Sequence, residues 1–512
     1  MSTPAPSPHA VPGAPAPGTN GHAKPSSGSL SRQGRAALAV VAGRAAGALS
    51  RRLGRGGGTS LPGLVAQRLD PDIAAYLAAQ LRHGAVVITG TNGKTTTSGL
   101  TAGVLRAAGL RVWRNREGAN LLRGIAAALI IRARPSGRLR WHGNAAAVFE
   151  VDEAAFAAVI AAVRPRVVAI TNLFRDQLDR YGEVDTVAER WRAALRRPPA
   201  GTTLVLNADD PAVAALGAGF AGRVVYFGVA SVVASEPSPP GGVEVVDTRT
   251  CPRCGAVLDF APRFFSHVGH WVCPGCGYAR PAPTVEARDV RLDGLEDTRF
   301  TLATPGKPDA PDAPASTRAV RLPLPGLYNV YNALAAAAIA SALDLGPAAL
   351  DALERFAPAF GRAERIVVDG RTVQLLLAKN PTGLNEVLRT LAGSASAGAG
   401  TNGEQRHVLL ALNDHAADGE DVSWIWDAGI ERLAGMAGDV TVTGTRAYDL
   451  ALRLKYAGIT PARVEPDPAA ALREALAATP AGEMLYAVPT YTAMLELRAA
   501  LERGGYVPHY WE

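Results

Sequence analysis

The chain has 512 residues, more than one ordinary domain holds and enough for about three. Apolar residues make up 48% of it, which supplies ample core for a globular body. The net charge of +7 is concentrated at one end: residues 1–56 hold Lys24, Arg32, Arg35, Arg44, Arg51, Arg52 and Arg55 and no acid, so residues 57–512 are neutral overall. A neutral body argues against a nucleic-acid-binding surface, whatever the overall basicity.

The first 28 residues are Pro, Ala, Ser and Gly with almost no large apolar side chains, a composition that predicts a flexible tail. No apolar stretch follows the start, so no signal peptide is expected. Ala37 to Leu49 is mildly apolar and interrupted by Arg44, too short and too charged to span a bilayer. Two readings of it stand: an amphipathic helix resting on an anionic membrane surface, or a basic helix packed on the body. Gly56-Gly57-Gly58 is read as the entry to the folded part.

The strand-like run Ala85 to Ile88 empties into Thr89-Gly-Thr-Asn-Gly-Lys-Thr-Thr96, and a helical pattern continues to Ala108. Strand, glycine turn and helix in that order make a phosphate loop. Backbone N–H groups from Gly90 through Thr91, Asn92 and Gly93 can face an anion. Lys94 would reach the β/γ-phosphates, Thr95 would ligate Mg²⁺, and Thr96 continues the set. The general motif places four residues between its glycines; here Thr91 and Asn92 are the only two.

Strand-like runs at 86–89, 146–151, 167–171, 203–207 and 224–227 alternate with helical stretches at 97–108, 153–163 and 186–195. Such alternation predicts a parallel sheet with helices on both faces, and ligands at the carboxyl ends of its strands. Glu150, Asn172, Asn207 and the Asp209-Asp210 pair fall at such ends. Glu150 is the candidate Mg²⁺ carboxylate; the alternative is an ordinary N-terminal charge on the helix that starts near Asp152.

The chain's four cysteines form two pairs, Cys251-Pro-Arg-Cys254 and Cys273-Pro-Gly-Cys276. That spacing predicts a Cys₄ zinc ribbon, with Gly255 and Gly277 turning its two knuckles; two disulfides are the alternative, which nothing in the sequence favours. Four thiolates leave no open position, so the Zn²⁺ would be structural. His267 and His270, inside the ribbon loop, are read as surface residues rather than ligands. The flanks 237–242 and 280–283 mark the ribbon, about residues 245–283, as an insertion into the α/β domain.

Further on come Gly326-Leu-Tyr-Asn329-Val-Tyr-Asn332-Ala-Leu-Ala-Ala, Phe360-Gly-Arg362-Ala-Glu364 and Lys379-Asn-Pro-Thr-Gly383. Then follow Asn413-Asp-His-Ala-Ala-Asp418-Gly-Glu-Asp421-Val-Ser-Trp-Ile-Trp-Asp427 and Tyr491-Thr-Ala-Met494. The phosphate loop and the first two of these segments resemble the Mur ligase family, which joins amino acids to carboxylates through acyl phosphates. The short loop, the ribbon, the Asp418–Asp427 loop and Tyr-Thr-Ala-Met together resemble the MurT family, the ligase-like subunits of lipid II isoglutaminyl synthase. This second resemblance runs from about Arg52 to Tyr510.

The resemblance implies ATP-dependent amidation of the α-carboxyl of D-glutamate in the lipid II stem peptide, through an acyl phosphate attacked by ammonia. A separate class I glutaminase subunit, GatD, would supply the ammonia, and a heterodimer is implied. It also implies that Asn332, with Asn329, reads the adenine, that Arg362 belongs to the ATP site, and that an acid of this chain completes the partner's Cys–His pair. Asp421 is the first candidate for that acid, with Asp427 and Asp418 as alternates. Helix capping is the competing role for Asn329. Ordinary Mur ligases carry a carbamylated lysine near the metals. Here no lysine lies between Lys94 and the ribbon, and the 181–195 region offers Arg190 and Arg192 instead.

The expected architecture is a basic tail with an amphipathic helix (1–56), a Mur ligase-like ATP-binding domain carrying the ribbon (57–360) and a smaller C-terminal α/β domain (361–512). The expected location is cytoplasmic, with peripheral contact at the inner face of the membrane through the basic tail. Two other functions compete. An amino-acid-adding ligase would use an amino acid in place of ammonia, and a zinc-ribbon nucleic-acid binder would need the basic face that the body lacks.

Overall fold

A computed structural model describes residues 31–52, 60–115, 118–176, 184–233, 247–292, 295–306, 316–357, 362–396 and 405–508. Helices α1 (Arg32–Arg52), α2 (Leu61–Leu69) and α3 (Ile73–Ala78) precede the first strand, β1 (Ala85–Thr89). Then follow α4 (Lys94–Ala107), β2 (Arg111–Arg114), α5 (Leu122–Arg132), β3 (Ala145–Glu150), α6 (Phe156–Val163), β4 (Val167–Ile170), α7 (Val184–Leu195), β5 (Thr203–Asn207), α8 (Pro211–Ala214) and β6 (Val224–Val229). The ribbon supplies β7 (Asp259–Phe265) and β8 (Val268–Val272). After it come β9 (Val285–Arg291), β10 (Thr298–Thr304), β11 (Ser316–Leu322) and α9 (Leu327–Ala342).

These strands build a nine-stranded sheet in the order β11-β10-β9-β6-β5-β4-β1-β3-β2. It is parallel from β2 to β9, and β10 and β11 add an antiparallel edge. One core lies under α1, α2, α3, α5, α6 and α7, and a second lies on the opposite face under α4 and α9. Both faces are buried, so the central strands are apolar throughout, as in β1 (Ala-Val-Val-Ile-Thr). The chain order reverses at β1, with β3 on one side and β4 on the other. This switch point opens a crevice at the carboxyl end of β1, where the glycine turn begins.

A second sheet holds β12 (Arg362–Val368), β13 (Arg371–Leu376), β14 (Arg406–Ala411), β15 (Ala437–Thr443), β16 (Arg463–Val464) and β17 (Met484–Pro489), in the order β12-β13-β17-β14-β15-β16. It is covered by α10 (Pro381–Ser396) and α11 (Ala447–Tyr456) on one face, and by α12 (Pro468–Ala478) and α13 (Tyr491–Arg503) on the other.

The expected strand ends shift by one or two residues, a normal spread for hydrogen-bonded boundaries. Of the two readings of the basic segment, a helix packed on the body is the one found: residues 32–52 form α1, whose face of Ala36, Ala39, Val40, Gly43, Gly47 and Ser50 is buried against the body. Small residues at helical spacing let α1 approach α2 closely, which a reading by hydrophobicity alone undervalues. Residues 1–30 and 53–56 of the expected tail lie outside the described residues, as do Phe360 and Gly361. One expectation needs correction, the helix expected from Glu153: it opens with a single 3₁₀ turn, Glu153–Ala155, capped by the Asp152 side chain, before α6 begins. Among the described residues no helix is long and apolar enough to cross a membrane.

Candidate active site

The turn after β1 is shaped by two glycines. Gly90 has φ +137° and Gly93 φ +82°. A Cβ on Gly90 would sit 2.2 Å from Thr171 Oγ1, and one on Gly93 would sit 2.0 Å from Asn332 Oδ1. No side chain fits at either place, so the backbone lies bare toward the cleft. Asn172, at the end of β4, clamps the loop: it accepts from Asn92 N–H at 2.8 Å and donates to Asn92 O at 3.0 Å.

The loop opens α4, so its N–H groups and the helix dipole point at the same space. Thr95 Oγ1 donates to Glu150 Oε2 at 2.8 Å, which joins the hydroxyl and the carboxylate expected to share a metal. Glu150 itself is gripped through its backbone by the Asn115 amide. Lys94 is buried and turned back. Its Nζ donates to Gly90 O at 2.6 Å and to Glu153 Oε1 at 3.0 Å. Burial raises the Glu153 pKa, and the neighbouring Lys94 charge opposes that rise. By sequence Glu153 reads as the first residue of a helix; its position three residues after Glu150 is the available signal.

The cleft above the loop measures about 680 Å³ and is closed from the other side by the second sheet. Lys379 forms an ion pair with the buried Asp176. Asn380 and Asn92 exchange side-chain hydrogen bonds. Asn329 and Asn332 also line the cleft. Asn332 accepts from Thr97 Oγ1 at 3.1 Å and donates to Asn329 Oδ1 at 3.0 Å, while Asn329 donates to Pro325 O at 2.8 Å. Asn329 does not cap its helix; the N-cap position of α9 belongs to Gly326. Arg362 begins β12, but its side chain lies outside the described residues.

Asp209 and Asp210 do not line the cleft. Asp210 caps α8 through Ala212 and Val213 N–H, and Asp209 holds Arg280 and Tyr331. Burial pushes the Asp209 carboxyl upward in pKa, and Arg280 counters it. Both residues are structural.

The four cysteines converge. Their sulfurs lie within 4.8 Å of one another, with Cys251–Cys276 at 3.7 Å and Cys254–Cys273 at 3.4 Å. Zn–S bonds of about 2.3 Å arranged tetrahedrally put sulfurs about 3.8 Å apart, so the donor set fits zinc. Gly255 (φ +77°) and Gly277 (φ +70°) turn the knuckles. His267 and His270 stand outside the sulfur cluster, but His267 is no surface residue and His270 is only partly exposed. His267 is fully buried, its Nε2 3.3 Å from Asp210 Oδ2 without hydrogen-bond geometry, and His270 Nε2 lies 2.8 Å from Val229 O. The ribbon loop folds inward, which spacing rules for metal ligands cannot indicate.

The three aspartates of the 418–427 loop differ sharply. Asp418 is buried and accepts from Thr492 N–H at 2.8 Å and from the Thr492 hydroxyl. Burial raises its pKa, and the Thr492 bonds hold it back. Asp427 pairs with Arg175 from the first sheet's side of the cleft. Asp421 is exposed and accepts from Ser423 N–H at 2.8 Å; the Ser423 bonds lower its pKa.

A phosphate loop at the switch point of one sheet, faced by a second α/β unit across a cleft, defines the class: a Mur ligase-type ligase. Residues 88–236 match the model of the Mur ligase middle domain, and residues 377–494 match that of the MurT ligase C-terminal domain. A pseudomurein peptide ligase type C from Methanothermus fervidus shares the fold, with a TM-score of 0.59 over 82% of this chain and 78% of that one at 24% identity. The "Lipid II isoglutaminyl synthase (glutamine-hydrolyzing) subunit MurT" of Staphylococcus aureus (strain COL) is 33% identical over 91% of this chain and 97% of its own length. The subunit of the same name from Streptococcus pneumoniae is 31% identical over 91% and 96%. The chain belongs to the MurT family.

Proposed function

We propose that this chain is the ATP-consuming subunit of an enzyme that amidates the α-carboxyl of D-glutamate in the lipid II stem peptide, giving D-isoglutamine. The activity is that named for its relatives. Gly90 to Thr96 would cradle the ATP phosphates, with Lys94 leaving Glu153 for the β/γ-phosphates. Thr95 and Glu150 would hold Mg²⁺, which would neutralise phosphate charge. Asn329, Asn332 and Arg362 complete the ATP set. The carboxylate would be activated as an acyl phosphate, and ammonia would displace phosphate. The observation that carries the reading is the cleft itself: the Thr95–Glu150 pair on one side and the Lys379-Asn380 segment on the other enclose one reaction space.

Ammonia would come from a glutaminase subunit of the GatD kind. All four cysteines of this chain sit in the ribbon, so no thiol is left for glutamine hydrolysis. Asp421, the exposed aspartate of its loop, would orient the partner's histidine; Asp418 and Asp427 are already engaged within the chain. The reaction would take place in the cytoplasm, at the inner face of the membrane. On the outer side of α1, Leu38, Val41 and Leu49 are 51%, 48% and 59% exposed beside Arg35, Arg51 and Arg52, a surface suited to anionic lipid.

The test is copurification with a candidate glutaminase, then assay of lipid II with ATP and either glutamine or ammonium. Amidation with both nitrogen sources is expected. ATP-dependent addition of an amino acid, with no amidation, would overturn the reading.

A further inference from the structure

The turn of a two-stranded hairpin is normally its most exposed part. In the ribbon the order is inverted. Ala261, Pro262 and Arg263 on the strand are exposed, whereas the tip residues Phe265, Ser266, His267 and Val268 are 5%, 6%, 0% and 0% exposed. The tip is driven into the body, and both its flanks are fastened there. Trp271 Nε1 donates to Ala208 O at 3.0 Å, Gly269 N–H donates to Asp209 O at 3.0 Å, and Arg280 bridges the Asp209 carboxylate and Val229 O.

Phe265 and Val268 reach the cleft and line it together with Leu324, Tyr328 and Asn329. Phe265 meets Tyr331 edge-on at 5.7 Å and lies 6.1 Å from Phe174. Phe174 lies 4.9 Å from the His267 ring, and its backbone exchanges two hydrogen bonds with the Thr91 hydroxyl of the phosphate loop. On the far side, Arg389 of α10 donates to Phe264 O at 2.8 Å. The hairpin thus touches the phosphate loop's support, the asparagine helix and the second sheet's unit. Its base is the cysteine cluster, where Trp271 and Tyr278 pack with Cys251 and Cys273 against Ala214 and Ala215.

We infer that the hairpin tip is a wall of the nucleotide-base pocket, with Phe265 as its positioning residue, and that zinc at the hairpin's base sets the position of that wall. The inference rests on the nucleotide reading of the cleft. A flat base suits a wall of apolar and aromatic side chains whose polar contacts come from amides. A hairpin this short has no core of its own, so its geometry depends on the stapled sulfurs at one end and the body at the other.

The test uses the full chain. Phe265→Ala should keep its zinc and weaken ATP binding about tenfold by calorimetry, the scale of losing one buried aromatic contact. An unchanged Kd in folded, zinc-loaded Phe265→Ala would overturn the inference. In the parent protein, ATP should slow amide exchange across residues 260–272, a readout that needs no variant; unchanged exchange there would also overturn it. Stripping zinc from the parent with a chelator should weaken ATP binding. ATP binding unaltered in zinc-free protein would overturn the role given to zinc. Lys94→Ala separates the levels. If it loses ATP while Phe265→Ala does not, the wall is wrong and the nucleotide site stands. If both retain ATP, the nucleotide binds elsewhere and its placement in this cleft falls.

Discussion

Asn92 and Asn380, 288 residues apart, exchange side-chain hydrogen bonds across the cleft: Asn92 Nδ2 donates to Asn380 Oδ1 at 3.3 Å, and Asn380 Nδ2 donates to Asn92 Oδ1 at 3.0 Å. The phosphate loop and the second sheet are thereby joined at the point where the reaction would occur. Asn380 Oδ1 also accepts from Gly383 N–H at 2.8 Å, so it caps α10 as well. Asn380→Ala should lower turnover about tenfold, from neutral bonds contributing about 1 kcal/mol each, with little change in ATP affinity. Asn380→Asp keeps the cap oxygen and loses the donor to Asn92. It should hold the parent's melting temperature more closely than Ala does and still turn over slowly. Steady-state kinetics beside calorimetry reads both. A large loss of ATP binding would instead put Asn380 in the nucleotide site.

Lys94→Ala should reduce synthesis at least about a hundredfold, because the lysine would meet phosphate charge that grows in the transition state. Near-parental turnover at saturating ATP would refute the phosphate-loop assignment. The same variant has a pH signature. The Glu153 pKa is raised by burial and restrained by Lys94. An acid with a raised folded pKa contributes stability fully below its unfolded value near 4.5, and that contribution is lost as pH rises through the folded value. Without Lys94 the folded value climbs further, so the variant should lose melting temperature relative to the parent as pH rises. Adding Glu153→Gln should abolish the extra slope. Equal pH profiles for Lys94→Ala and the parent would show that the pair is not coupled.

What the sequence made legible was local. Thr89 to Thr96 carries its glycines, its lysine and its flanking strand and helix in one short window, and the knuckles of Cys251–Cys254 and Cys273–Cys276 are fixed by spacing. What it hid was long-range. Asn380 finds Asn92, and Lys379 finds Asp176, through a domain arrangement that no window contains. His267 looked polar and loop-bound, yet its burial follows from Asp210 and Phe174, which come from different parts of the sheet. The buried face of α1 is built of Ala, Gly and Ser with Val40 its largest side chain, so its packing leaves almost no hydrophobic periodicity to read. The three aspartates of the 418–427 loop cannot be told apart by spacing. Thr492 and Arg175 separate them only in three dimensions.

Cys251→Ser and Cys276→Ser should both lower zinc content, since each removes one of four thiolates. Their effects on stability should differ. Cys251 is buried beside Trp271 and Tyr278, whereas Cys276 is exposed. A serine hydroxyl placed at the buried position adds a desolvation cost to the loss of metal binding, so Cys251→Ser should melt several degrees lower than Cys276→Ser. Metal analysis and thermal melting on the same samples check this. A zinc-free preparation that melts with the native protein would refute a structural zinc.

Asp421→Asn should impair glutamine hydrolysis by the complex by about a hundredfold or more, while synthesis from supplied ammonium stays close to the parent's. The carboxylate is exposed and its ionised form is favoured by Ser423, so it is charged and accessible at neutral pH. Its negative charge would favour imidazolium on a partner's histidine, which an amide of the same size cannot do. Asp418→Asn should behave differently. It replaces an acceptor of two Thr492 bonds in a buried place, so it should lower the melting temperature and affect both nitrogen sources alike. Asp427→Asn should weaken the Arg175 contact across the cleft and slow synthesis from ammonium as well as from glutamine. Ammonium rescue therefore discriminates among the three aspartates. Rescue confined to Asp421→Asn assigns it to the glutaminase reaction. Failure of ammonium to rescue it, with ATP binding intact, assigns Asp421 to the ligase reaction instead. Unchanged glutaminase activity in Asp421→Asn moves the trans-acting acid elsewhere on the chain.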